Sequence, residues 1–294
     1  MNASNEMGPR IDSLLPPEMA LRAESVGEKK AALDFYSTFA LGILAGAFIA
    51  LGCIFYTTVT APTLRDGVFE TLPFGVAKLL GGLVFCLGLI LVVVAGAELF
   101  TGNNLIVMAW ANGKVSTARL LRNWLIVYAG NFVGSIGTAV IMLLSAQYRF
   151  AGGAIGLNAL NIAHAKAGLA PFQAIWLGAM CNSLVCLAVW LTFSARSTTD
   201  KIMAILFPIT AFVAAGFEHS VANMYFVPMG LLVKRFGTPA FWDAIGKTAA
   251  DYPNLTWGNF IVHNLLPVTL GNLIGGGILV GLVYWFVYLR PKNA

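Results

Sequence analysis

Two short polar signatures interrupt long apolar stretches of this sequence. They read Gly-Ala-Glu-Leu-Phe-Thr-Gly-Asn at 96–103 and Gly-Phe-Glu-His-Ser-Val-Ala-Asn at 216–223. Their glycine, glutamate and asparagine recur at one constant offset of 120 residues, and each apolar stretch is long enough to cross a bilayer. Because a carboxylate at that depth is costly, we expect Glu98 and Glu218 to belong to a functional site.

The second signature contains His219, which falls in the middle of an apolar stretch. His164, in contrast, lies in a loop between two stretches, and His263 lies near the start of the last one. An imidazole titrates near pH 6.5, so a small weak acid that reached His219 could exchange or share a proton with it. A core histidine hydrogen-bonded to a carbonyl is the alternative. The place of His219 in a repeated signature favours the functional role.

Thr101 and the two glutamates complete the polar set of the signatures. The hydroxyl of Thr101 can donate to a carboxylate oxygen of a solute, or it can cap a break in its own helix. For Glu98 and Glu218 we expect a structural role, in which each carboxylate accepts hydrogen bonds from backbone N–H groups freed at a helix break. The alternative, a charged repeller of anions, would place a bare carboxylate at the centre of the membrane.

The composition is typical of a polytopic membrane protein. Hydrophobic residues make up 58% of the chain, charged residues 11%, and the mean hydropathy is +0.78. Six apolar stretches of spanning length lie near 37–60, 74–108, 120–146, 170–194, 202–234 and 256–289. The second and fifth stretches are longer than one span needs and carry the two signatures. We therefore predict a broken helix in each.

The charged residues predict the orientation and the division of the chain. Residues 1–35 contain no apolar segment of the kind found in signal peptides, so we expect the first span to insert by itself. Most lysines and arginines fall in segments that are cytoplasmic if both ends are cytoplasmic. We predict an N-terminal segment at 1–35 with a helix at the membrane interface, a six-helix channel domain at 36–289, and a cytoplasmic tail at 290–294.

Internal symmetry predicts the architecture. Leu41-Gly42 matches Leu177-Gly178 at an offset of 136, and Gly130-Asn131 matches Gly271-Asn272 at an offset of 141. Each half has three spans, an odd number, so the second half must be inverted in the membrane. The fold class is thus an all-α membrane protein with six transmembrane helices, an inverted 3+3 repeat and two broken helices. GxxxG steps predict close helix packing, within the chain or between subunits; they begin at Gly42, Gly130, Gly271 and Gly277.

The broken helices are expected to meet near the bilayer midplane, where helix N-termini favour a small anion over a cation. Asn182, Asn131 and Asn272 are unusual inside apolar stretches and are expected to face the interior. Four apolar residues within or just before the breaks could narrow a pore and strip water from a solute, or could be ordinary core residues: Phe85, Leu89, Leu99 and Phe212.

Several classes of function are disfavoured. The basic residues are scattered over helix ends and form no compact aromatic-interleaved patch, so nucleic acid is not an expected partner despite the net charge of +5. The chain has no Walker loop, no GxGxxG after a strand and no HExxH motif, so we predict that it is not an enzyme and needs no cofactor. The cysteines are expected to be small core residues without a disulfide or a metal; they are Cys53, Cys86, Cys181 and Cys186.

The motifs resemble those of the formate/nitrite transporter family over about residues 20–290. The resemblance rests on the two signatures, on the Gly178–Asn182 segment and on the Pro267–Gly277 segment. It implies an aquaporin-like fold assembled as a homopentamer, with a pore in each protomer, in the lipid of a bacterial inner membrane. It implies a pore centre at His219, a mobile segment at Thr101, orienting roles for Asn182, Glu218 and Asn272, constriction by the four apolar residues and attraction of anions by Lys166.

The function implied by the resemblance is passive or proton-coupled passage of formate, with His219 governing its dependence on pH. Other small monovalent anions, or their acids, are further candidate solutes. A nitrite or hydrosulfide channel of the same family needs the same central residues and stays open as an alternative. A neutral-solute pore would require paired asparagine tips or two facing histidines at mid-membrane depth, and the sequence has neither arrangement.

Overall fold

The computed structural model describes residues 12–291, and most of them lie in helices. The first half contains α1 (Pro16–Ala32), α2 (Phe35–Val59), α3 (Phe74–Gly96), α4 (Val107–Ala111) and α5 (Thr117–Leu144). The second half contains α6 (Ala154–Ala167), α7 (Pro171–Ser194), α8 (Thr198–Ala214), α9 (Ser220–Phe236), α10 (Pro239–Ile245) and α11 (Trp257–Leu289). Short 3-10 turns cover Gly102–Ile106, Gln147–Arg149, Ala151–Gly153 and Ala249–Asp251. The parts of the predicted end segments at 1–11 and 292–294 lie outside the described residues.

The six predicted passages are present. Five described helices are long and apolar enough to cross a membrane, namely α2, α3, α5, α7 and α11. The sixth passage is made of α8 and α9, which have 17 residues each and are separated only by residues 215–219. Together they cover the fifth predicted apolar stretch.

Capping side chains fix where several of these helices begin. Asp34, Ser116 and Ser197 accept hydrogen bonds from backbone N–H groups in the first turns of α2, α5 and α8. Pro171 occupies the first turn of α7, where a missing N–H group leaves no helical hydrogen bond unmade. Each of these signals is local, and each places a helix end close to the position that the apolar stretches predict.

Both predicted helix breaks occur, and the repeated glycines mark them. α3 ends at Gly96, whose φ is +83°, and the equivalent Gly216 follows α8 with a φ of +73°. A Cβ atom at either position would meet no heavy atom within 4 Å. The backbone conformation, rather than lack of space, therefore requires glycine here.

The inverted repeat shows itself in two close helix crossings. In the first half, α2 crosses α5 so closely that a Cβ atom on Gly134 would lie 2.0 Å from the carbonyl oxygen of Ile43. In the second half, α7 crosses α11, and a Cβ atom on Gly275 would lie 2.0 Å from the carbonyl oxygen of Ala179. The GxxxG steps thus pack within the chain, which is the first of the two alternatives that the sequence left open.

The predicted interface helix α1 is docked against the rest of the chain. Its buried face contains small residues, and a Cβ atom on Gly27 would lie 3.3 Å from the Cβ atom of Ala109 in α4. The buried carboxylate of Glu24 accepts hydrogen bonds from Asn112 and, at 2.8 Å, from Lys114. The hydrogen bond to Glu24 also raises the pKa of Lys114. α1 is therefore held by both packing and charge.

Two elements differ from the sequence expectation. The segment around His164 is the helix α6 rather than a loop, and it begins after two left-handed glycines at 152 and 153. A small antiparallel hairpin, β1 (Thr63–Arg65) with β2 (Val68–Glu70), follows α2 and turns at Asp66-Gly67. The four cysteines are buried, as expected for small core residues.

The helix crossing at Gly134 predicts a position-specific loss of stability. We expect Gly134→Ala to lower the thermal unfolding temperature of the purified protein in detergent, because the new methyl group meets backbone atoms that cannot turn away. The loss should be about 1–3 kcal/mol, as for an overpacked core. Gly137→Ala is the matched control on the same helix, since a Cβ atom there meets nothing within 4 Å. An equal loss of stability in both variants would contradict the proposed crossing.

Candidate functional site

Each helix break is fixed by one buried asparagine. In the first half, Asn131 of α5 accepts a hydrogen bond from the backbone N–H group of Phe100 at 2.9 Å. Its amide nitrogen donates to the carbonyl oxygens of Gly42 at 2.8 Å and Glu98 at 2.9 Å. One side chain therefore satisfies a donor and two acceptors around the break, where no helical partner exists.

The second break is fixed in the same way. Asn272 of α11 accepts from the backbone N–H group of Ser220 at 2.9 Å and donates to the carbonyl oxygens of Gly178 at 2.9 Å and Glu218 at 3.0 Å. Its three partners are the repeat equivalents of those of Asn131. The sequence match between the two asparagines thus corresponds to an identical structural task.

The carboxylate of Glu98 does not cap backbone N–H groups, so that part of the sequence interpretation is wrong. It accepts hydrogen bonds from the ammonium group of Lys30 and from the amide of Asn103, both at 2.6 Å. The same amide of Asn103 donates to Asn123 at 2.9 Å. Asn131 and Asn272, called the asparagine clamps from here on, bind backbone N–H groups at the two breaks. Glu98 instead binds the cation Lys30, which α1 supplies.

Glu218 has the equivalent set of partners. Its carboxylate accepts from Lys166 of α6 at 2.8 Å, from Asn223 at 2.7 Å and from Asn264 at 3.2 Å. Lys166 was predicted as a site residue, but its counterpart Lys30 was not. Sequence signals for the missed residues do exist. Lys30 precedes Lys166 by the offset of 136, and Asn123 precedes Asn264 by the offset of 141.

His219 and Thr101 come together from the two halves. The Nε2 atom of His219 lies 2.9 Å from the hydroxyl oxygen of Thr101, and both residues are buried. The Nδ1 atom accepts a hydrogen bond from the backbone N–H group of Ala222 at 3.0 Å, so the imidazole also caps α9. Because Nδ1 is an acceptor, a neutral ring carries its proton on Nε2 and donates it to Thr101.

Asn182 holds the Thr101 segment in place. Its amide donates to the carbonyl oxygen of Asn272 at 2.7 Å, to that of Thr101 at 3.3 Å and to the side chain of Asn104 at 2.9 Å. Asn182 is completely buried and lines neither of the cavities described next. It connects the asparagine clamp of one half to the broken helix of the other.

Two cavities approach the His219–Thr101 pair from opposite sides. The α6-side cavity has a volume of about 370 Å³ and is lined by Lys166, Glu218 and His219 among others. The α1-side cavity has a volume of about 400 Å³, and Lys30 and Glu98 contribute to its lining. Each cavity therefore contains one lysine–glutamate pair from the corresponding half of the repeat.

The predicted constriction residues lie between these cavities. Phe85 and Phe212 line the α6-side cavity, with their rings edge to face at a centroid distance of 5.7 Å. Leu89 and Leu99 line the α1-side cavity instead, and all four side chains are buried. The ring of Phe212 also lies against that of His219 at 6.0 Å. These apolar side chains and the hydrogen-bonded His219–Thr101 pair are called the partition between the two cavities.

The chemistry available at this partition is hydrogen bonding. Within residues 12–291, no group of three or more His, Cys, Asp or Glu side chains is arranged to hold a metal ion. A small solute that crosses would lose its water against the apolar rings and would find the Thr101 hydroxyl and the His219 N–H as replacement donors.

Comparison with known proteins gives consistent relatives. A family described as Formate/nitrite transporter matches residues 17–286. The chain is 48% identical over 283 residues to the formate channel FocA of Escherichia coli K12, which covers 96% of this chain and 97% of that protein. It is 44% identical over 270 residues to the formate channel FocA of Haemophilus influenzae, covering 92% and 93%.

Solved structures agree with this result. One described as a pentameric formate channel with formate bound has a TM-score of 0.81 at 51% identity, covering 87% of this chain and 98% of that chain. Another, described as an FNT family ion channel, has a TM-score of 0.76 at 28% identity and covers 92% and 98%.

These relatives are channels and transporters, which confirms the prediction that the chain is not an enzyme. The structural matches confirm the predicted six-helix membrane fold with its two broken helices. The family match extends over most of the chain, residues 17–286. The chain therefore belongs to the formate/nitrite transporter family.

Proposed function

We propose that each protomer passes formate across the membrane between the two cavities. The observation that carries this proposal is the His219–Thr101 pair, buried in a partition that has a lysine-bearing cavity on either side. Relatives that share about half of their residues with this chain are described as formate channels, and one solved relative has formate bound. Nitrite or hydrosulfide is the alternative solute, since the same donors suit any small monovalent anion.

The geometry supports a path in three steps. The anion enters a cavity, loses water at the apolar partition, and accepts hydrogen bonds from Thr101 and from the Nε2–H group of His219. Formic acid is a strong enough acid that its neutral form is scarce near neutral pH, so these donors must serve the formate anion. Once the anion is inside the α6-side cavity, Lys166 is proposed to draw it over the remaining short distance towards the centre.

The tautomer of His219 defines what it can supply. A neutral ring donates from Nε2, but it can release a proton to formate only after gaining a second one at Nδ1. A protonated Nδ1 cannot accept from the Ala222 amide, so this state gives up the cap of α9. The resting geometry therefore favours sharing of charge with the anion, and proton transfer requires a rearrangement of the histidine.

We propose a homopentamer in a bacterial inner membrane with both termini in the cytoplasm. The distribution of lysine and arginine supports this orientation, and the pentameric relative supports the assembly. In this arrangement the α1-side cavity opens to the cytoplasm and the α6-side cavity opens to the outside. Membrane lipid surrounds the assembly.

The substrate is tested with purified protein in proteoliposomes. We expect formate flux to exceed that of acetate, chloride and glycerol, and to differ between pH 7 and pH 5.5. The same panel includes nitrite. A preference for nitrite would identify nitrite, rather than formate, as the substrate. Glycerol flux in the absence of formate flux would overturn the proposal of an anion path.

The role of His219 is tested with two variants that differ in capping. His219→Phe removes both the titrating group and the cap of α9, whereas His219→Asn removes titration but retains a side chain that caps helices well. We expect the ratio of formate flux at pH 5.5 to that at pH 7 to approach one in both variants, because the flux no longer depends on pH. An unchanged pH dependence in the asparagine variant would exclude His219 as the titrating group.

The hydroxyl of Thr101 is tested by isosteric replacement. Thr101→Val keeps the shape of the side chain but removes a donor to a charged solute, an effect of roughly 1.5–3 kcal/mol, so we expect formate flux to fall by about ten- to a hundredfold. Thr101→Ser should recover most of the flux. If the Thr101→Val variant passes formate as fast as the wild type does, the hydroxyl does not contact the solute.

A further inference from the structure

The two cavities contain more positive charge than their glutamates offset. In the α6-side cavity, Glu218 is paired with Lys166 at 2.8 Å, but Lys78 also lines the cavity. In the α1-side cavity, Glu98 is paired with Lys30 at 2.6 Å, but Arg22 and Lys201 also line it. At a distance, each paired lysine acts together with its glutamate as a dipole with no net charge. The net charge of each cavity comes from the other basic residues.

Lys78 is the surplus cation of the α6-side cavity. It lies in the second turn of α3, about 10 Å along the helix axis from the constriction residue Phe85. Its ammonium group lies 5.6 Å from the ring centroid of Phe74 and, among the described residues, forms no ion pair with a carboxylate. The side chain is half-buried, so it is anchored on the cavity wall while its charge remains available.

Lys201 is a surplus cation of the α1-side cavity. It lies in the first turn of α8, about 16 Å along the helix axis from Phe212. The neighbouring Asp200 is engaged with backbone N–H groups at the start of the helix, and Lys201 forms no ion pair within residues 12–291. Arg22 of α1 adds a second cation here and donates to the carbonyl oxygen of Phe193 at 3.0 Å.

We propose that Lys78 and Lys201 are the residues that capture anions at the two cavity mouths, whereas Lys30 and Lys166 mainly stabilise the buried glutamates. The proposal rests on the proposed function, passage of a small anion. A net charge attracts an anion from farther away than a lysine–glutamate pair does, and low-dielectric cavity walls strengthen its field. Attraction at the mouths is thereby separated from the hydrogen bonding at the partition.

The test is the formate conductance of Lys78→Gln in planar bilayers, with formate only on the α6 side. At an ionic strength near 10 mM we expect about a threefold lower conductance than in the wild type, as for one unit charge acting across about 7 Å of water. The difference should vanish in about 1 M of an impermeant salt, where screening acts within about 3 Å. Lys78→Arg should restore the conductance.

Lys247→Gln is the matched control, because Lys247 is exposed and lines neither of the two cavities. It removes a charge between α10 and α11 and should leave the conductance unchanged. Lys201→Gln should likewise lower the conductance about threefold when formate is only on the α1 side, because the contributions of Lys201 and Arg22 to the potential add.

Unchanged conductance in both cavity variants overturns the proposal. So does a loss that persists in high salt and is not restored by arginine, since it would reflect a structural role. A wild type that conducts nitrite but not formate overturns the proposed substrate instead, and the same variants measured with nitrite then decide the capture residues. A wild type that conducts no anion overturns both.

Discussion

The fold depends on satisfying backbone groups where two membrane helices break. A lipid environment offers no water to these groups, and each unsatisfied one costs several kcal/mol. Asn131 and Asn272 meet this requirement by accepting from one backbone N–H group and donating to two carbonyl oxygens each. Because one partner carbonyl lies in the break and the other lies on α2 or α7, each asparagine fixes a broken helix against its neighbours. The close helix crossings at Gly134 and Gly275 follow from this, because an asparagine side chain is short and reaches a carbonyl group of another helix only where the two backbones are in close contact.

Burial of a charge imposes the second constraint. Glu98 and Glu218 are 6% and 5% exposed, and a carboxylate so placed needs a cation and hydrogen-bond donors. Lys166, Asn223 and Asn264 meet this need for Glu218, and Lys30 and Asn103 meet it for Glu98. The N-terminal helix is consequently part of the site rather than an appendage, because it brings Lys30 to the first broken helix.

The sequence predicted the architecture well because its strongest signals are local or repeated. Apolar stretches predicted the spans, and the recurring glycines predicted both breaks. The partners of Glu98 were not predicted, because a carboxylate at a break is equally compatible with capping N–H groups and with binding a cation from another element. The helix α6 was missed because a segment between spans carries no requirement to cross the membrane. Lys30 could have been found by extending the repeat offset of 136 beyond the apolar stretches.

The site itself arises where the two halves differ. The repeat equivalent of His219 is Leu99, and the equivalent of Thr101 is Val221, so the symmetric scaffold presents one polar group from each half at unequal positions. A symmetric pair of histidines would place two titrating groups side by side, and protonation of one would oppose protonation of the other. The observed pair instead offers one imidazole and one hydroxyl in an otherwise apolar partition. In the proposed function, a single anion thus exchanges its water for donors of fixed geometry without meeting a second charge at the centre.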